Sequence, residues 1–175
     1  MLERLISLLR GELQAEAAER RLALQPRRDG GAERHGLVGR RQHELARVQH
    51  EGLAAVDLDR RTNIYIANIV KCRPPQNRDP LPEESAACMP WLRQQFQLIR
   101  PKIVVCLGRV AAQRMLDPGF SISRDHGKFF DKQGTLFMAT YHPAALLRYP
   151  DNKPAVFGDF VALRQKITEV CEHTY

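Results

Sequence analysis

Ile64-Tyr-Ile-Ala-Asn-Ile-Val70 and Lys102-Ile-Val-Val-Cys-Leu107 decide the fold. Both are short, β-branched and apolar over most of their length, the pattern of strands buried on both faces. What surrounds them alternates in kind. Pro82-Glu-Glu84 opens a helix, because proline suits a first-turn position and acidic side chains suit the positive end of the helix dipole. Pro90 either kinks that helix or starts a second one carrying Trp91, Phe96, Leu98 and Ile99. Gly108 turns the chain into a helix from Arg109 to Leu116, Leu136-Phe-Met-Ala-Thr140 is a third strand, and Pro154 to Glu172 is a closing helix. Strand, helix, strand, helix in this order predicts an α/β fold. The expected architecture is a three-layer α/β/α sandwich around a central, mostly parallel sheet covered on both faces.

The chain changes character near Leu53. The first 61 residues contain twelve arginines and no lysine, and neither an aromatic residue nor a cysteine precedes Tyr65 and Cys72. A segment without aromatics makes a poor core. Leu2, Leu5, Leu9 and Leu13 stand at helical spacing, which predicts an amphipathic helix over Met1 to Leu24. Gln25 to Arg41 is rich in glycine and arginine and ill-suited to regular structure, and His43 to Leu58 fits another helix. The chain therefore divides into an arginine-rich segment, residues 1–52, and a domain, residues 53–175. Either divergence or translation from a shifted reading frame gives such a segment, and the arginine excess with no aromatic residue or lysine favours the second.

A chain of 175 residues with 43% hydrophobic content suffices for one core. Its net charge of +7 favours a polyanionic partner, nucleic acid first. No apolar run has the length of a membrane span, and Met1-Leu-Glu-Arg-Leu-Ile-Ser-Leu-Leu-Arg10 is too short and too charged for a secretory signal. A cytoplasmic monomer is expected, in which the four cysteines serve as metal ligands or buried thiols and not as a disulfide framework. A phosphate-binding glycine loop is missing, which weighs against an ordinary nucleotide-binding α/β protein.

Two strings follow strand-like runs, Asn68-Ile-Val-Lys-Cys-Arg-Pro-Pro-Gln-Asn-Arg-Asp-Pro80 and Thr140-Tyr-His-Pro-Ala-Ala-Leu-Leu-Arg148. Each belongs where a strand ends and a loop begins, the edge at which open α/β sheets bind ligands. The His-Pro step holds His142 at that edge, where an imidazole can meet charge developing on a ligand or cap backbone carbonyls. Asn68 offers a donor and an acceptor together, suited to reading a base edge or to satisfying a strand end. Lys71, Arg73, Asn77 and Arg78 surround two prolines in a stiff, donor-rich loop that suits phosphate oxygens. Leu147 and Arg148 read equally as an apolar anchor and a solvated arginine. Cys72 and Cys88 lie in positions that suit metal ligation, whereas Cys106 sits inside an apolar strand as an ordinary buried thiol.

Taken together, the two strings resemble the loops of the family 4 uracil-DNA glycosylases, the iron–sulfur branch of their superfamily. The similarity runs from about Leu53 to Ile167. It implies a DNA repair enzyme that flips deoxyuridine out of uracil-containing DNA and hydrolyses its N-glycosidic bond. In that resemblance His142 donates to uracil O2 as the bond breaks, and Asn68 reads N3–H and O4. Leu147 is the wedge, and Arg148 joins Lys71, Arg73, Asn77 and Arg78 in contacting DNA. Cys72 and Cys88 match two of the four thiolates that hold a [4Fe–4S] cluster, whose other two come from an N-terminal Cys-x-x-Cys absent from this chain. A Gly-Glu-x-Pro-Gly loop that positions the catalytic water is also absent. Gly36-Leu-Val-Gly-Arg40 echoes a Pro-Phe-Val-Gly-Arg loop, with Leu37 where an aromatic stacks on uracil. These absences point to little or no uracil excision by this chain, and the competing expectation is a non-enzymatic DNA-binding remnant of the same fold.

Overall fold

The structure, a computed structural model, describes residues 52–59, 62–72 and 74–171, with the backbone alone of residues 4–8 and 77. Its described strands are β1 (Arg4–Leu8), β2 (Ile64–Asn68), β3 (Ile103–Leu107), β4 (Phe129–Lys132) and β5 (Thr135–Thr140), arranged in one sheet in the order β2-β1-β3-β5-β4. β3 and β5 are parallel, and β1 is antiparallel to both β2 and β3, so β2, β3 and β5 share one direction. These are the three strands expected from sequence. The sheet is nevertheless mixed, because β1 and β4 run against them.

β1 corrects the expectation of a helix over Met1 to Leu24, within which residues 4–8 are extended. A short leucine-rich run fits either period. Here two strands, β2 and β3, each offer a ladder of backbone groups, so tertiary pairing overrides local preference. The remainder of that expected helix, the irregular stretch Gln25 to Arg41 and most of the expected helix His43 to Leu58 lie outside the described residues. The last part of that second helix is described as helical at residues 52–54, followed by a turn.

β3 is buried at all five positions and divides two cores. Ile103, Val105 and Leu107 face Leu53, Val56, Leu146, Val156, Phe160, Leu163 and Ile167, while Val104 and Cys106 face Leu92, Ala111, Ala112 and Phe120. The first set comes largely from helices α4 (Pro143–Arg148) and α5 (Lys153–Val170), the second from α1 (Pro82–Ile99) and α2 (Arg109–Met115). This is the covered, three-layer sheet that the strand pattern predicts. Among the described residues, no helix is long and apolar enough to cross a membrane.

α1 runs unbroken through Pro90. It stops at Arg100, whose positive φ of 48° closes a bond from its N–H to Phe96 O (2.8 Å) ahead of Pro101. Leu92 and Ile99 are buried, whereas Trp91 (53%) and Leu98 (39%) are left on the outer face. Between α2 and β4 lies a short helix, α3 (Ile122–Asp125). β4 and β5 form a hairpin whose two turn residues, Gln133 (φ 56°) and Gly134 (φ 80°), both take the left-handed region that a type I′ turn demands.

The loop between β2 and α1 is tied down by its own charges. Arg78 grips Glu84 with two hydrogen bonds (2.8 and 2.7 Å), and Glu84 also accepts the Leu81 N–H (2.8 Å) at the start of α1. Asp79 pairs with Arg109 at the start of α2. The Arg78 hydrogen bonds, helped by the Leu81 N–H, hold the Glu84 carboxyl at about 2. A depressed folded-state pKa gives stabilisation that is complete above the unfolded value, about 4.3, and is lost as pH falls. The melting temperature is therefore expected to fall between about pH 5 and 2, and Glu84→Gln to lower it at pH 7 while flattening that acid slope. Thermal melts of both proteins across this range test the pair, and identical slopes would show that the bond to Arg78 contributes nothing.

Candidate active site

One row of the sheet assembles the site. Asn68 pairs with Arg4, Arg4 with Leu107, and Leu107 with Thr140. Three strand spacings separate Asn68 from Thr140, roughly 14 Å between their backbones. Both residues end strands of the same direction, and His142 follows Thr140 by two positions. The two candidate base-contacting residues therefore stand on one edge, beyond the carboxyl ends of β2 and β5.

His142 is the N-cap of α4, and its Nδ1 accepts the Ala144 N–H at 3.1 Å. An Nδ1 that accepts leaves the proton of the neutral ring on Nε2, which is buried. The ring is thus fixed as an Nε2–H donor. Gly108 supports the same edge from β3: its N–H donates to Thr140 O at 2.8 Å, and its φ of 93° is a conformation that glycine tolerates without strain. Leu147 is half-buried and Arg148 exposed in the last turn of α4. Arg148 makes no ion pair with a described residue.

Asn68 is held from its own backbone. Its carbonyl accepts Lys71 Nζ at 3.0 Å, and the same ammonium donates to Gln95 Oε1 on α1 at 3.0 Å. Gln95 in turn donates to Tyr65 Oη on β2 at 3.0 Å. Burial lowers the pKa of Lys71, with the nearby Cys88 opposing the shift. Lys71 thus spends two of its three donors inside the protein, and Arg78 spends its fork on Glu84. Arg73 and the side chain of Asn77 lie outside the described residues. Gln95 and Gly108 carry structural support for the site that sequence reading missed. A glutamine on a helix gives no sequence signal of its partner, whereas Gly108 was legible only as a turn.

The thiols separate into near and far. Cys88 Sγ accepts the Lys71 N–H at 3.3 Å, which brings it to the loop that carries the exposed Cys72. Cys106 is enclosed in β3, and burial pushes its thiol up to about 12. Cys171 lies beside Lys102, whose Nζ donates to Val170 O, at the edge where the strands begin. A strand length, roughly 13 Å, separates that edge from the one carrying Cys72. The four cysteines of the chain do not converge on a four-thiolate site, and no group of three or more metal-ligating side chains stands together among the described residues. The residues present therefore do not fit a complete [4Fe–4S] centre.

Comparison with known proteins bears on the same elements. The profile of the uracil DNA glycosylase superfamily matches residues 22–163, reaching further upstream than the resemblance from Leu53 onward. The type-4 uracil-DNA glycosylase of Archaeoglobus fulgidus is 43% identical over 129 residues, covering 69% of this chain and 62% of that protein. That of Thermotoga maritima is 43% identical over 96 residues, 54% of this chain and 50% of that protein. A type-5 uracil-DNA glycosylase of Pyrobaculum aerophilum is 38% identical over 85 residues, 47% and 37% of the two chains. The chain thus spans between about a third and three fifths of these relatives. With a superfamily profile covering most of its length and a sheet edge of the expected construction, the chain belongs to the uracil DNA glycosylase superfamily.

Proposed function

We propose that this protein is a uracil-DNA glycosylase-type repair protein of the cytoplasm that acts as a monomer. It extrudes deoxyuridine from DNA and hydrolyses the bond between uracil and deoxyribose. The observation that carries this reading is the shared sheet edge of Asn68 and His142 in a chain of this superfamily. The Asn68 amide accepts uracil N3–H and donates to O4, a pattern that cytosine reverses. His142 Nε2–H donates to O2 as electrons of the glycosidic bond pass onto the base, and water attacks the oxocarbenium-like sugar to leave an abasic site. Leu147 fills the gap in the stack, and Arg148 meets phosphate.

A second reading is favoured by a specific observation, the absence from the sequence of the Gly-Glu-x-Pro-Gly loop. On that reading the fold binds DNA without chemistry. Uracil release from a uracil-containing oligonucleotide, measured with the protein in excess over DNA, separates the two. Slow release that falls about 100-fold in His142→Ala, and falls also in Asn68→Asp as donor becomes acceptor, supports the glycosylase. Salt-sensitive binding with no release supports the remnant, and neither binding nor release rejects both.

Binding has its own test. Because Arg148 is exposed while Lys71 and Arg78 are engaged internally, Arg148→Ala is expected to weaken DNA binding and lower the salt slope by about 1. An unchanged slope in a salt titration would place the phosphate contact elsewhere.

Cys72 and Cys88 are the remaining half of a cluster site in this reading, so the purified chain is expected to hold well under one [4Fe–4S] per molecule. Iron and sulfide analysis with the visible absorption spectrum measures this, and a stoichiometric cluster would show that ligands reach the site from elsewhere.

A further inference from the structure

Asp159 is a carboxylate buried to 6% exposure in the middle of α5. None of the roles assigned above uses it. One of its oxygens accepts the hydroxyl of Thr140, and His126 Nδ1 lies 2.9 and 3.0 Å from its two oxygens. The imidazole therefore presents Nδ1–H to the carboxylate. Gly127 makes room for this contact. A Cβ there would fall 2.3 Å from Asp159 Oδ1, and its φ of +72° already excludes most side chains. The Gly127 N–H bonds Ala139 O at 2.9 Å, which fastens the segment to β5. The His126 ring then lies 5.1 Å from the ring of Tyr141.

These contacts converge on three consecutive residues. Thr140 is held twice, by its hydroxyl on Asp159 and by its carbonyl on the Gly108 N–H. Tyr141 is packed by His126. His142 comes next, with Nδ1 on the Ala144 N–H. We propose that Asp159, acting through Thr140 and His126, is the positioning residue for His142: it fixes the path of residues 140–142 and so the tautomer and direction of the imidazole. The inference rests on His142 being the group that meets uracil O2, yet it concerns how the ring is held and is read without turnover.

Asp159 carries two acceptor oxygens and one charge, and an amide of the same size replaces one acceptor by a donor. That donor faces the His126 Nδ1–H and the Thr140 hydroxyl. In Asp159→Asn, hydrogen exchange of the Ala144 amide is expected to rise tenfold or more. The ¹⁵N signals of the His142 ring are expected to lose the single Nε2–H tautomer pattern. Exchange of the Val105 and Met138 amides, in the core strands, stays unchanged. Thr140→Val removes the hydroxyl without touching the carboxylate and is expected to reproduce the effect, while Thr140→Ser restores it. Unchanged Ala144 exchange in both Asp159→Asn and Thr140→Val overturns the proposal. So does a rise shared equally by Ala144 and Val105, which marks general loosening of the fold. Failure of uracil release in the parent protein, with these exchange results intact, would reject the glycosylase reading and leave the positioning role standing.

Discussion

The separation between Asn68 and His142 is set by β1. β2 reaches the rest of the sheet only through Arg4–Leu8, which pair with it on one edge and with β3 on the other. Five residues thus decide how far the Asn68 amide stands from the His142 imidazole. Backbone pairing fixes that distance in units of one strand spacing, because a ladder has no intermediate positions. A register slip of β1 would leave each residue's local support intact and still destroy their relation. The His142 side does not share this dependence. β3 and β5 pair directly, and the Gly108 N–H closes the end of that pair onto Thr140.

Charge at this edge is used mostly to build the protein. Lys71 spans Asn68 and Gln95, Arg78 holds Glu84, and Arg109 holds Asp79. The two ion pairs, Arg78–Glu84 and Arg109–Asp79, add only modest stability, since water screens them and ordering two long side chains costs entropy. Their effect is geometric. They keep a proline-rich loop folded back on the starts of α1 and α2, so that its backbone presents one shape at the edge. The net charge of +7 therefore overstates the cations this loop leaves unengaged, whereas Arg148 is exposed and makes no ion pair with a described residue.

Those differences mark where the sequence could be read and where it could not. β2, β3 and β5 were legible because short, mostly apolar runs bounded by turn residues have few structural uses other than a buried strand. β1 was not, since leucines at positions 2, 5 and 9 fit a helix as well as a strand and only the open ladders of β2 and β3 choose between them. β4 escaped notice for another reason: Phe129–Lys132 is four residues long and its turn uses Gln-Gly where Asn-Gly would have signalled a hairpin. At the site, Asn68 and His142 could be placed on an edge because each stands where a strand run gives way to a proline-bearing segment. The partners of Lys71 and Asp159 could not be found, because Gln95 and Thr140 lie 24 and 19 residues away and a hydrogen bond across that distance leaves no local pattern. A lone carboxylate within the apolar run Val156 to Val161 was the one visible sign.

Lys71 joins Cys88 to the Asn68 end of β2. Its backbone N–H rests on Cys88 Sγ while its ammonium holds the carbonyl of Asn68. Cys72 is the next residue in the chain. Cys88 Sγ and the Asn68 carbonyl are thus held by one residue, the first through its backbone and the second through its side chain. The sulfur pair and the amide consequently form one mechanical unit, braced on α1 by Gln95, whereas the imidazole belongs to a second unit braced on α5 by Asp159. β1 lies between them in the sheet, so the relation of the two groups is only as well defined as the pairing of that strand with β2 and β3.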